Sequence, residues 1–139
     1  MTTLPPPGFA AHTRHSPATV SWEPIYARAD LDVFQLGIII ADAHCNTRGT
    51  LHGGVMAALA DNACGLTLGM ALGFGAKGVF TTSLAIDYVG PGQRGQWLEI
   101  TPRIVKAGKS SGVVDALITA DGEVIARANA SFRVLSRPH

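Results

Sequence analysis

The chain has 139 residues, 47% of them hydrophobic, with eleven Lys and Arg against ten Asp and Glu. That length fits one domain with a sizeable core, and the near balance of charge names no partner. The basic residues are scattered singly, without the clustered patch of a nucleic-acid binder, and Cys45 and Cys64 have neither CxxC spacing nor a disulfide-rich setting, which suits a reducing cytoplasm.

Residues 1–24 contain Pro5, Pro6, Pro7 and Pro17 with several Ser, Thr and His residues. They lack the basic and apolar regions of a signal peptide and read as an extended arm ahead of a single domain over 25–139. His12 and His15 in the arm, and His139 at the terminus, are expected to be solvated. A strand is predicted near 31–41. It leads into Asn46-Thr-Arg-Gly-Thr-Leu-His52-Gly53-Gly54 and then into residues 55–72, a stretch with no Lys, Arg or His and the single carboxylate Asp61. Two glycines admit close approach to the backbone, and the free N–H groups of a helix N-terminus carry partial positive charge. That turn can therefore hold an oxygen that becomes negative. The helix is apolar on nearly every face, so a curved sheet or a partner must cover it. It is almost long enough to span a membrane, but Asp61 and Asn62 sit near its middle, where an acid costs about 2.5–3.5 kcal/mol on insertion scales. No membrane partner is expected.

After the helix, alternating runs separated by turn signals predict strands near 78–89, 96–107, 111–120 and 123–135. The breaks are Gly90-Pro91-Gly92 through Gly95, then Gly108-Lys109-Ser110, then Asp121-Gly122, a two-residue hairpin signal. Three consecutive hairpins predict an antiparallel meander. Gly73-Phe-Gly75-Ala-Lys-Gly78 matches GxGxxG but follows a helix and precedes a strand, the reverse of a dinucleotide-binding turn. Gly108-Lys109-Ser110 resembles the end of a phosphate-binding loop, yet Arg103 stands where its first glycine is required. His44, Cys45 and His52 fail as a zinc site, because His44 and Cys45 point to opposite sides of an extended chain. No metal is expected.

Together, the segment 46–54, Asp61-Asn62, Thr81 ahead of Ile86-Asp-Tyr88-Val-Gly-Pro91, and Lys106-Ala-Gly108-Lys109-Ser110 resemble the hotdog-fold acyl-CoA thioesterases of the phenylacetate-degradation and acyl-CoA thioesterase 13 type. The resemblance covers roughly 30–135. It implies an α+β hotdog fold, an antiparallel sheet wrapped around one long helix, that hydrolyses the thioester of an aryl-acyl or medium-chain acyl-CoA without a cofactor, coenzyme A being part of the substrate. It implies that the Gly53 amide, with Gly54 beside it in the turn, polarises the thioester carbonyl. Asn46 helps hold the thioester or the attacking water, and His52 is a second polar contact. Asp61 is base or nucleophile, and Thr81 positions water or the acid. Val55, Thr82, Ser83 and Leu84 would line the acyl and pantetheine path, with Leu59, Phe74 and Phe80 as further apolar lining. Lys106, Lys109, Ser110 and Ser111 would meet the nucleotide phosphates. Ser83 departs from the family, where many relatives carry an acid.

Gly53 and Asp61 lie eight residues apart, about 12 Å along one helix. They cannot meet on one carbon, so Asp61 is expected from a second copy of the chain across a two-fold interface, in a homodimer or dimer of dimers. Taken singly, Asn46 and His52 also suit turn and capping roles, and a strand Thr such as Thr81 needs no chemical duty. Two other readings remain: a non-catalytic acyl-CoA binding or sensing module, and a hotdog hydratase or dehydratase. The absence of a His-Phe-Pro-Gly-type loop opposes the latter, and an acid beside a thioester is of no use to a pure binder.

Overall fold

A computed structural model describes residues 4–30, 32–73 and 76–136. In chain order the elements are β1 (Ala10–Ala11), β2 (Tyr26–Arg28), β3 (Gln35–Ile39), α1 (Gly53–Leu72), β4 (Ala76–Tyr88), β5 (Trp97–Ala107), β6 (Ser111–Ala120) and β7 (Glu123–Ser136). Short 3-10 turns lie at Val20–Trp22, between β1 and β2, and at Asp42–His44, between β3 and α1. The strands form one antiparallel sheet in the order β1-β2-β3-β5-β6-β7-β4. Helix α1 packs on it through Leu59, Ala60, Ala63, Cys64 and Leu68, each at most 1% exposed. This is the hotdog arrangement that the resemblance implies. The helix is long and apolar enough to cross a membrane by length and composition, and its small residues instead let it sit close against strands.

The Asp121-Gly122 turn takes positive φ at both residues, 46° and 84°, the backbone of a type I′ hairpin. β5, β6 and β7 form the expected meander. The hairpin expected at 90–95 does not exist: β4 pairs with β7 at one edge, while β5 pairs with β3. Glycine and proline mark where a strand stops but carry no information about which edge the next one joins. Here the connection crosses back past the start of α1, where Leu51 N–H donates to Gly92 O and Gly95 N–H to Ile40 O.

The N-terminal stretch is not a free arm. β1 extends the sheet beside β2, and Phe9, buried, meets the Trp97 ring edge-on at 4.9 Å. The strand expected near 31–41 begins only at Gln35, because Asp32 turns the chain with φ 65° and Val33 N–H donates to Asp30 O.

Candidate active site

The loop entering α1 is held by its own side chains. Asn46 Oδ1 accepts from the Arg48 and Thr50 N–H groups at 3.0 and 3.2 Å, and its Nδ2 donates to Thr50 Oγ1 at 3.0 Å. Asn46 therefore builds the turn, and the second hydrogen of its Nδ2 leaves it a donor for a bound thioester. His44 is buried, with one ring nitrogen accepting from Ala41 N–H and the other donating to Trp22 O. His52 caps the helix: its Nδ1 accepts from Gly54 N–H at 2.8 Å, which puts the proton of the neutral ring on Nε2. The Gly54 amide is thereby occupied, while the first-turn amide of Gly53 has no acceptor within the helix. Gly53 also leaves little room for a side chain. A Cβ there would stand 3.3 Å from the Tyr88 ring, whose hydroxyl donates to Gly53 O at 2.6 Å. Tyr88 is a site neighbour that sequence reasoning did not single out.

Asp61 is half-buried in mid-helix and accepts from Thr81 Oγ1 at 2.5 Å. A bulge makes this compatible with the Tyr88 contact. The β4–β7 register shifts between Thr81 and Ser83, so the inward face of β4 changes from odd to even positions. Thr81 and Tyr88, seven apart, can then both face α1. One turn along the helix, burial first and the Asp61 charge next push the Cys64 thiol up to about 12. Asp61 and Thr81 border a cavity of about 520 Å³ that continues past Asn62, Leu66 and Met70 to Val79 and Phe132.

The residues expected as apolar lining lie elsewhere in the single chain. Val55 and Leu59 are core residues, Leu84 packs against the core, and Phe80 is 47% exposed on the other face of β4. Phe74 lies outside the described residues. None of Val55, Leu59, Leu84 and Phe80 borders the cavity beside Asp61, and Phe80 precedes the bulge at an even position, hence outside. Of the expected coenzyme A contacts, Thr82, Lys109, Ser110 and Ser111 share a hollow of about 610 Å³ with Arg133. Lys106 does not border it, because a register shift after Ile104 displaces it along β5. Ser83 is exposed outside both hollows. Arg133 was missed for a related reason. A regular two-residue hairpin would set Phe132 opposite Ser111, but a shift between Ile118 and Thr119 brings Arg133 there instead.

A family model described as the thioesterase superfamily matches residues 48–126. A candidate esterase of Pseudomonas aeruginosa is 30% identical over 133 residues, spanning 93% of this chain and 96% of that protein. Human acyl-coenzyme A thioesterase 13 is 36% identical over 90 residues, 63% of either chain. Among solved structures, a Bacillus halodurans protein crystallised with CoA superposes with a TM-score of 0.78 at 31% identity, covering 90% of this chain and 83% of that one.

Proposed function

Because the chain belongs to the thioesterase superfamily and is a thioester hydrolase, we propose that it cleaves aryl-acyl-CoA or medium-chain acyl-CoA to the free acid and coenzyme A, at a site shared between two copies. The thioester carbonyl accepts from Gly53 N–H, and the helix dipole supports the negative oxygen that forms when the carbonyl is attacked. His52 Nε2–H is a second donor at the same turn. The partner protomer's copy of Asp61, oriented by its Thr81, drives the attack as base or nucleophile, and the tetrahedral intermediate collapses by expelling the coenzyme A thiolate, which takes up a proton. Lys109, Ser110, Ser111 and Arg133 meet the phosphates.

The observation that carries this reading is one helix bearing an acceptor-free amide at Gly53 and, about 12 Å along it, a carboxylate held by a hydroxyl at a cavity. Support for the second copy comes from β4, the sheet's terminal strand, whose outer edge is unpaired among the described residues. Thiol release from phenylacetyl-, hydroxybenzoyl- and straight-chain acyl-CoAs tests it. Wild type is expected to turn over part of this panel, and Asp61→Asn to lose at least about a hundredfold in kcat. No release by wild type, with tight acyl-CoA binding, would make the chain a binding module instead. A single turnover in heavy-oxygen water separates the two routes, since label in Asp61 marks the nucleophile.

A further inference from the structure

The cavity beside Asp61 has a wall that the family resemblance does not cover. His12, Arg14 and Ser16, from the segment expected to be solvated, border it together with Lys77 at the start of β4. The position of that wall follows from a chain of contacts. The His12 ring packs edge-on against Phe34 at 5.5 Å, and Phe34 N–H donates to Thr67 Oγ1 at 2.9 Å. Thr67 is six residues beyond Asp61, about 9 Å farther along the helix. Gly65 and Gly69 border the space between and leave it open.

The chemistry changes along this length. Leu66, Met70, Val79 and Phe132 give the middle of the cavity an apolar surface, while its far part carries Arg14 and Lys77. Neither cation has an ion-pair or hydrogen-bond partner among the described residues. Burial, helped by His15 and Arg14, holds the His12 imidazole below its ordinary value, so the lasting positive charge of this wall is that of Arg14 and Lys77. The hollow with Lys109, Ser110, Ser111 and Arg133 is separate, and it already offers cations suited to phosphates.

We propose that residues 12–16 form the distal wall of the acyl pocket and that Arg14 and Lys77 bind an anionic end group there, so that the preferred substrates are ω-carboxyacyl thioesters. The assignment rests on the reading of Asp61 as the thioester site. A methylene chain occupies the apolar middle, and a terminal carboxylate meets two cations that otherwise stand unpaired. Arg14 and Lys77 are exposed at the cavity mouth, and the directional Arg–carboxylate contact makes this wall a selector between chains of equal length.

The test compares kcat/KM for octanoyl-CoA and its ω-carboxy counterpart, suberyl-CoA, using the full chain. Wild type is expected to favour suberyl-CoA by at least about tenfold. Arg14→Gln and Lys77→Gln should each bring the ratio toward one, and Arg14→Lys should keep most of the preference. A wild-type ratio near one, or equal losses on both substrates, overturns the proposal. Losses that are equal on both and vanish with the acyl-pantetheine thioesters, which lack the nucleotide phosphates, assign the cations to coenzyme A instead and also overturn it. If neither substrate is hydrolysed, the thioesterase reading fails separately. Calorimetry with the two non-hydrolysable thioether analogues then decides, because the same tenfold preference is expected in Kd and its absence refutes the anionic subsite.

Discussion

At the scale of single residues, Gly53 offers an unusually clean deletion of one hydrogen-bond donor. Proline is at home in the first position of a helix and has no N–H. His52 before it already holds φ −68° and ψ 129°, which a following proline tolerates. Gly53→Pro should therefore keep the helix, move the Tyr88 ring by a few tenths of an ångström, and lower kcat by about 10²–10³, with unchanged circular dichroism as the check. Cys64 gives a pH prediction. Its folded thiol is pushed up to about 12 from 9.0, so above pH 9 the unfolded chain loses a proton that the folded chain keeps. The stabilising contribution is complete below about 9 and is lost as pH rises toward 12, with a slope of at most about 1.4 kcal/mol per unit. Urea unfolding between pH 8 and 10.5 should show this slope in wild type and a shallower one in Cys64→Ala. At this scale the sequence makes Gly53, His52 and Asp61 visible through spacing and isolation. It could not show that Asn46 also shapes its own loop through Thr50 and Arg48, because such bonds leave no mark in the residue letters.

Elements were legible where the pattern is local. Helix α1 and the β5–β6–β7 meander follow from apolar runs and turn residues, whereas the pairing of β4 with β7 joins residues from Tyr88 and Ala126 out to Ala76 and Ser136, far apart in sequence, and leaves no local trace. Bulges hide in the same way. The shift at Thr82 decides which side of β4 faces Asp61, yet Thr81-Thr82-Ser83 reads as an ordinary strand. The packing of α1 on the sheet can be measured directly. Leu68 is fully buried, so Leu68→Ala should cost about 2–5 kcal/mol in chemical denaturation, with little change in the slope of free energy against denaturant if the native fold survives.

For the whole molecule, a shared site has a signature that no single chain can imitate. Gly53→Pro and Asp61→Asn protomers, each inactive alone, should recover activity when unfolded together and refolded, because a mixed dimer holds one site with both an intact amide and an intact carboxylate. Random pairing makes half of the dimers mixed, and each has one working site of two, so recovery approaches a quarter of wild type. No recovery, with mixed dimers confirmed by mass, would place both groups of each site on one chain. The terminal position of β4 has a further consequence for the protomer before it meets another. From Gly78 to Ile86 this edge strand contains neither a charged residue nor a proline, two of the devices by which exposed edges are kept from recruiting foreign strands, and only the bulge at Thr82 interrupts that run. A newly made chain is thus adhesive along one side until that side is covered, and slow expression or a higher concentration of its own twin should yield more soluble protein where crowding with other unfolded chains yields aggregate.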